Sequence, residues 1–187
     1  MKTLLYRCVA AAFAAMALAA AQHALAEMNL AKSTITAISK QMNVPVEGVF
    51  KKFSARISFD PAKPSAGSAQ LTVDVGSYDL GDASYNRQVA GNEWFDAKAY
   101  PTATFVSTAI SAVGGDRYRV TGKLTIKGKS ETVTVPVTLT QRDNMQTLDG
   151  MLPIKRSEFN IGTGEWKETS IVADEVAIKF HIVATKF

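Results

Sequence analysis

The fold is decided by residues 117–141, RYRVTGKLTIKGKSETVTVPVTLTQ, in which apolar and polar side chains alternate. A period of two over this length predicts two β-strands, each with one buried and one solvated face. Gly128 can adopt the positive φ that a tight hairpin turn often needs. Pro136 falls on the polar side of the second strand, so we expect a bulge there or a neighbouring strand that has already ended. The stretch therefore predicts a long antiparallel hairpin whose apolar face the rest of the chain helps to cover.

Shorter segments with the same alternation flank the hairpin on both sides. We expect further strands at residues 33–39, 49–59, 68–75, 102–108, 147–154 and 171–183. Phe50 is out of phase with Phe53, which predicts a bulge near Lys51-Lys52. Roughly eight strands with little helix between them predict an all-β antiparallel barrel.

The segments between the strands predict turns and at most one or two short helices. Residues 42–48 are expected to form a turn or one short helical turn. Asp82-Ala83-Ser84 is expected to cap a short helix that includes Val89. Residues 156–168 are irregular and rich in aromatic residues and glycine. No internal repeat or linker divides the chain, so we expect one barrel domain.

The first 26 residues carry the pattern of a cleavable signal peptide. Lys2 and Arg7 precede an apolar run at residues 9–21 that is too short to span a bilayer. Ala24-Leu25-Ala26 supplies the small-x-small pattern of a cleavage site. We expect residues 1–26 to be removed, which leaves residues 27–187 as an exported barrel domain. Cys8 is lost with the leader, so the mature chain has no cysteine for a disulfide or a metal.

The remaining composition argues against catalysis, metal binding and nucleic-acid binding. The formal net charge of +4 includes Lys2 and Arg7, and no basic run is long enough to form a nucleic-acid face. His23 leaves with the leader, and His181 lies on the polar side of the last predicted strand. A single histidine without cysteine supports neither a histidine-based nucleophilic triad nor a common zinc site. We expect a surface histidine, no enzyme activity and no cofactor.

The interior of the predicted barrel combines bulky inward residues with small ones, namely Ala37, Ala55, Ala69, Ala103, Gly122 and Gly150. A barrel of about eight strands is either filled by side chains or just wide enough for one small ligand. The small residues fit a tapering solid core or leave a cavity, and both interpretations stay open. A cavity would suit a long apolar guest, since each buried methylene contributes about 0.8 kcal/mol. The candidate lining residues are Phe53, Ile57, Phe59, Leu71, Val73, Trp94, Phe95, Phe105, Tyr118, Leu124, Leu152 and Phe159.

Two aromatic segments are candidates for the mouth of such a cavity. Trp94-Phe95 and the loop at residues 159–166 would form the mouth or, alternatively, plugs over the barrel ends. Trp166 belongs to this candidate mouth. Lys155 and Arg156 would meet an anionic headgroup there or form a solvated strand end, and the sequence favours solvation.

Two motifs resemble the YceI-like family. Residues 93–105, EWFDAKAYPTATF, resemble its FFD…YP…F signature, and residues 120–128, VTGKLTIKG, resemble its V-x-G-x-L-T-I-x-G strand and turn. Residues 46–60 and 156–162 also fit, so the resemblance covers essentially the whole mature chain. Many members carry an Arg-Asp-x-His-Leu run before the signature. Here Gln88 stands at the histidine position, so a headgroup contact by that histidine is not carried over.

The resemblance implies an extended, eight-stranded, lipocalin-like barrel that is exported to the periplasm. It also implies a non-catalytic binding protein that encloses a polyisoprenoid lipid, such as a prenyl pyrophosphate or an isoprenoid quinone, or a similar hydrophobic small molecule. Sequestration or transport of that lipid would be its role. Some relatives are associated with membrane b-type cytochromes, which are therefore a candidate partner. The alternative is an interaction module that docks a membrane or redox partner through its aromatic loops.

Overall fold

A computed structural model describes residues 27–185, and the predicted signal peptide with Cys8 lies outside them. One curled antiparallel sheet of ten strands dominates the fold. The strands are β1 Thr34–Gln41, β2 Val44–Phe50, β3 Phe53–Ser58, β4 Ser68–Asp74, β5 Tyr78–Asp79, β6 Thr102–Gly114, β7 Arg117–Ile126, β8 Lys129–Arg142, β9 Met145–Lys155 and β10 Glu175–Thr185. The one α-helix among the described residues, α1, spans Ala83–Ala90. Within this part of the chain, no helix has the length and apolar character needed to cross a membrane.

The order of strands in the sheet is β3-β4-β6-β7-β8-β9-β10-β1-β2-β5. Strands β2 and β3 lie far apart in this order, yet only Lys51 and Lys52 separate them along the chain. The predicted bulge is therefore a change of partner, since β2 pairs with β1 and β3 pairs with β4. The sheet has ten strands rather than the roughly eight that were expected, because β2 and β3 are separate strands and the two-residue β5 is added. The all-β antiparallel barrel is confirmed.

The ends of the described chain meet in the sheet. Strand β1 pairs with β10, in a register that places Thr34 opposite His181 and Ile38 opposite Ala177. Alternate β10 side chains, such as Ile178 and Ile182, therefore reach the same interior as those of the preceding strands. This pairing curls the sheet around a single core.

The hairpin of β7 and β8 is confirmed, with Arg117 opposite Thr138 and Ile126 opposite Lys129. Its turn consists of Lys127 and Gly128, whose φ angles are 47° and 73°. Strand β8 pairs with β9 only between Val137 and Arg142. Pro136 therefore lies one residue beyond the end of that ladder. The pairing has ended there, but β9 itself continues to Lys155, so the expectation that the neighbouring strand has ended is wrong.

The expected turn over residues 42–48 is wrong. Only Met42 and Asn43 form the turn, with φ angles of 49° and 65°, and Val44–Phe50 is a strand. Gly48 does not break that strand, because the ring of Tyr78 lies against its backbone where a side chain would otherwise stand. Cross-strand pairing with β1 has overridden the local preference for a turn.

The predicted helix cap is confirmed at Asp82, whose carboxylate accepts hydrogen bonds from the backbone N–H groups of Ser84 and Tyr85. The carboxylate also accepts a hydrogen bond from the Ser84 hydroxyl. This bond first, and then the two backbone bonds, hold the pKa of Asp82 below its ordinary value. The irregular segment after β9 contains two short 3-10 helices, Arg156–Phe159 and Gly164–Lys167. Both lie at the same end of the barrel as the β7–β8 turn.

Candidate functional site

A cavity of about 140 Å³ lies inside the curled sheet. Carbon atoms form almost the whole of its surface. The lining residues are Ala55, Ile57, Phe59, Ala69, Gln70, Leu71, Phe105, Ile110, Tyr118, Val120, Leu124, Val135, Val137, Leu148, Leu152, Ile178, Phe180 and Ile182. Apolar cavities of about 150 Å³ accept small apolar guests such as benzene or xenon, whereas water needs several polar partners. The chemistry of this wall favours an apolar guest.

The cavity extends along much of the barrel interior. We call the part of the barrel that surrounds it the hollow half and define it by Phe59, Tyr118, Leu148, Phe180 and Ile182. Its wall reaches Tyr118 beside the β6–β7 turn and Leu148 close to the β8–β9 turn. It continues along the same two strands to Leu124 and Leu152. Phe59 and Tyr118 meet there edge to face, with ring centroids 4.9 Å apart. The β7–β8 turn lies at the opposite end.

The structure places part of the predicted lining set on the cavity wall, namely Ile57, Phe59, Leu71, Phe105, Tyr118, Leu124 and Leu152. The remaining residues of the set lie elsewhere. Phe53 borders a surface groove beside Lys51 and Lys52. Val73 is buried in the core, and Phe95 packs edge-on against Tyr78 at 5.6 Å between ring centroids. Trp94 and Phe159 lie in the opposite end of the barrel.

Several wall residues were absent from the predicted set, namely Ile110, Val120, Val135, Val137, Leu148, Ile178, Phe180 and Ile182. Strand alternation was the signal that could have found them. Ile178, Phe180 and Ile182 fall on one face of the last predicted strand and are all inward. Alternation identifies inward side chains, but it does not tell which of them border empty space.

The small inward residues play two different structural roles. Ala55 and Ala69 border the cavity, as expected of residues that leave space. The glycines do not leave space. A Cβ atom at Gly122 would lie 2.5 Å from the ring of Phe105, and one at Gly150 would lie 2.3 Å from the ring of Phe180. Neighbouring aromatic rings fill the room that both glycines leave.

Arg156 is neither a headgroup contact nor a solvated strand end, so both expectations for it are wrong. The residue is only 2% exposed. Its guanidinium donates five hydrogen bonds of 2.8–3.1 Å to the backbone carbonyls of Ala173, Ile161, Gly162, Trp166 and Val172. Burial lowers the pKa of Arg156, but a guanidinium remains charged in proteins. With its donors taken by carbonyls, it has none left for a ligand.

Three connecting segments close this end of the barrel, which we call the plugged end and define by Trp94, Lys127, Arg156, Phe159 and Trp166. The Lys127 ammonium donates to the carbonyls of Asn92 and Asn160, at 2.6 and 2.9 Å. Partial burial lowers the pKa of Lys127. Trp94 packs on Trp166, with ring centroids 5.6 Å apart, and Phe159 is fully buried. Of the two interpretations of these aromatic segments, the plug describes the observed arrangement.

The two other residues of the predicted mouth also lie away from the cavity. Lys155 is exposed at the end of β9, and Trp166 is half-buried against Trp94. Neither borders the cavity. A headgroup site at Lys155, Arg156 and Trp166 therefore does not adjoin the observed space.

His181 lies on the outer face of the sheet, opposite Asp149 of the neighbouring strand. Its Nδ1 atom is 2.7 Å from a carboxylate oxygen of Asp149, and the side chain is 43% exposed. This is the surface position expected for it. Among residues 27–185 there is no group of three or more His, Cys, Asp or Glu side chains placed to hold a metal ion.

The comparison with protein families and the comparison with curated proteins match different extents of the chain. The family model described as the YceI-like domain matches residues 27–184. A UPF0312 protein of Azotobacter vinelandii is 33% identical over 95 residues, which are 51% of this chain and 47% of that protein. A UPF0312 protein of Pseudomonas putida is 34% identical over 93 residues, 50% of this chain and 48% of its own. The chain thus spans about half the length of the curated relatives it matches.

Solved structures with the same fold include Burkholderia cenocepacia BcnA, which is 70% identical, covers 85% of this chain and 100% of its own, and gives a TM-score of 0.84. A Campylobacter jejuni YceI protein is 25% identical over 76% of this chain and 85% of its own, with a TM-score of 0.69. A polyisoprenoid binding domain from Saccharophagus degradans, implicated in plant cell wall breakdown, is 17% identical over 88% of this chain and 99% of its own, with a TM-score of 0.71. At that identity the likeness concerns the fold alone.

Proposed function

This chain belongs to the YceI-like domain family, and we propose that it binds a polyisoprenoid lipid by enclosing its apolar tail in the hollow half of the barrel. The observation that carries the proposal is the carbon-lined cavity between the strands. Family membership and this wall together support a hydrophobic ligand-binding role. The fold shared with a domain named for polyisoprenoid binding supports the choice of ligand class.

The proposed binding needs no covalent chemistry. Among residues 27–185, no charged residue lines the cavity, so the free energy of binding would come from removing apolar surface from water. Each methylene contributes about 0.8 kcal/mol, and a few isoprene units then provide useful affinity. The protein would sequester or transport the lipid and release it unchanged.

The size of the cavity limits how much of the guest fits in this conformation. Its volume of about 140 Å³ is less than the 300 Å³ or so of small ligand sites in general. A long prenyl tail therefore requires the wall to move outward as it enters. The proposal thus includes a wider ligand-bound conformation.

The headgroup of the lipid is proposed to stay outside the barrel. A pyrophosphate or quinone head is polar, and burying such a group without partners is costly. At the plugged end, Arg156 has no free N–H group for a headgroup, because its donors are taken by backbone carbonyls. The side of the β6–β7 and β8–β9 turns, which the cavity wall reaches, is the proposed position of the headgroup.

Export to the periplasm is part of the proposal and is supported by the signal-peptide pattern of residues 1–26. A membrane b-type cytochrome partner stays a prediction from the family resemblance. Docking through the aromatic loops has no observation in its favour, since Trp94 and Trp166 pack against each other.

Native mass spectrometry of the full chain, expressed in its own host and purified without detergent, tests the proposal. We expect a co-purifying prenyl lipid, or uptake of added geranylgeraniol. Ala69→Phe should abolish binding, because Ala69 borders the cavity and the new ring would fill it. Ala109→Phe is the matched control, since it places the same ring on an exposed position of β6. Protein that is always free of lipid and takes up none would contradict the proposal.

A further inference from the structure

We propose that Gly122 and Gly150 set the width of the barrel interior around the cavity, which we call the lumen, because they leave room for the rings of Phe105 and Phe180 to lie against the sheet. The lumen therefore selects a single slender hydrocarbon chain. The inference rests on the proposed function, which it deepens by assigning the residues that determine specificity. It starts from the contact between each glycine and its ring.

Gly150 of β9 stands directly opposite Phe180 of β10 in the ladder. A Cβ atom built on Gly150 would lie 2.3 Å from this ring, whereas ordinary carbon contacts begin near 3.4 Å. The ring can occupy its position only because the facing residue has no side chain. With alanine at this position, the ring would have to move by about 1 Å or more.

Gly122 of β7 leaves room for a second ring in the same way. Phe105 of β6 pairs with Leu124, two residues along β7 from Gly122, and its ring leans over the glycine. A Cβ atom on Gly122 would lie 2.5 Å from this ring. The Phe105 ring is therefore also held against the sheet by the absence of a side chain.

Both rings border the cavity. The β6–β7 pair and the β9–β10 pair lie on either side of β8 in the sheet order, so the rings approach the lumen from different walls of the barrel. A ring seated on a glycine lies back against the sheet and leaves the centre of the lumen free. A displaced ring would move toward that centre and take up much of a 140 Å³ space.

This geometry specifies the shape of the guest. In the proposed arrangement a flexible linear chain would lie between the two rings once the wall has moved outward, whereas a rigid fused-ring system would also have to displace one of the rings. The ligand class that fits is a linear prenyl or alkyl chain.

Gly48 provides a matched control from the same molecule. It seats the ring of Tyr78, with a Cβ-to-ring distance of 2.3 Å, but neither residue borders the cavity. Gly48→Ala and Gly150→Ala bring a methyl group to the same distance from an aromatic ring, and only the second affects the lumen. Gly150→Ala also brings the methyl group to 2.9 Å from the backbone oxygen of Pro136. A general loss of stability would appear in both variants.

Three readouts on the full chain test the inference: xenon binding, geranylgeraniol affinity and admission of a pyrene probe. Xenon affinity measured by NMR reports how much of the lumen is empty, and it does so whatever the natural ligand is. Geranylgeraniol affinity, measured by displacement of a fluorescent fatty acid, reports passage of a chain. We expect Gly150→Ala to lower both affinities by about tenfold or more, and Gly48→Ala to change them by less than about twofold. Phe180→Ala should admit a pyrene probe that the wild type rejects.

Equal effects of Gly150→Ala and Gly48→Ala, or no admission of pyrene by Phe180→Ala, would overturn the inference. If Gly150→Ala does not fold, Phe180→Ala decides the matter alone, since it removes the ring without adding an atom. A wild-type protein that binds xenon in a Gly150-dependent manner but no geranylgeraniol would refute the proposed function and leave the role of the glycines intact.

Discussion

The two ends of the barrel are built from the same strands but have opposite contents. In the hollow half, the inward side chains of β3, β4 and β6–β10 surround empty space. At the plugged end, segments that connect the strands fold inward and fill it, with Phe159 fully buried. The alternation of the strands is the same in both halves. The connecting segments, rather than the strands, thus determine where a guest can be held.

The two ends also differ in the forces that stabilise them. The hollow half has an apolar wall, so its stability comes from hydrophobic contact, and contact is incomplete around a void. The plugged end contains two cations, Arg156 and Lys127, which are satisfied by backbone carbonyls. Buried charges without such partners are strongly unfavourable. We therefore expect single substitutions to be more damaging at the plugged end.

The largest effect is expected for Arg156→Met. It leaves five carbonyls without their donor, three of them buried, and each unsatisfied buried acceptor costs about 1–3 kcal/mol. We expect a loss of about 4 kcal/mol or more in the free energy of unfolding, measured by urea denaturation. The control is Lys155→Met, an exposed neighbour that should change stability by less than about 0.5 kcal/mol. Similar losses in both variants would remove the distinction between the two ends.

Removing one phenylalanine from each end compares their packing directly. Phe159→Ala, at a fully buried site, should cost about 3–5 kcal/mol. Phe180→Ala should cost less, about 2 kcal/mol, because its ring already borders a void and loses fewer contacts. The measurement is again the free energy of unfolding. A larger cost for Phe180→Ala would reverse the comparison.

Lys127→Met tests whether the β7–β8 turn is tied to the plug. The ammonium bonds to the carbonyls of Asn92 and Asn160 would be lost. Because both bonds are exposed and water can replace the donor, the cost is about 0.5–1.5 kcal/mol. Amide hydrogen exchange should quicken around both residues, whereas lipid binding in the hollow half should persist. Lys129→Met, on the exposed side of the same turn, is the control. Unchanged hydrogen-exchange rates at Asn92 and Asn160 would show that the two Lys127 hydrogen bonds do not hold the turn to the plug.

The smallest effect is expected for a surface interaction outside both ends. Asp79 forms an ion pair with Lys51 and accepts a hydrogen bond from Asn86, and these contacts, with Lys51 first, hold its pKa well below its ordinary 3.8. Because the folded-state pKa is lowered, the stabilisation is complete above about pH 4 and is lost as the pH falls further. Thermal melting of the wild type and Asp79→Asn should differ at pH 7 and converge in strong acid. A difference in melting temperature that does not change with pH would show that ionised Asp79 is not the source of the stabilisation.

Local sequence signals predicted the parts of the fold that depend on neighbouring residues. The alternation around Gly128 identified the β7–β8 hairpin, and Asp82 identified the start of α1. The change of partner at Lys51 and Lys52 was interpreted as a bulge, because pairing with distant strands leaves no local trace in the sequence.

The candidate site was predictable only in part, for two physical reasons. Arg156 follows Lys155 and resembles it in the sequence, but its partners are carbonyls, which every residue carries and which no side chain reveals. Gly122 and Gly150 suggested empty space, because the rings that cover them come from neighbouring strands. Strand alternation thus showed which residues point inward, but not where the interior is empty.

The pairing of β1 with β10 has a consequence for the order in which the chain folds. Thr34 and His181, which stand opposite each other, are separated by nearly the whole described chain. Contacts between such distant positions close long loops and form slowly, whereas a hairpin such as β7–β8 forms from adjacent segments. On the ribosome, β1 has to wait for its partner until the last strand has been synthesised. A chain that stops before residue 175 would keep its hairpins and never close the barrel.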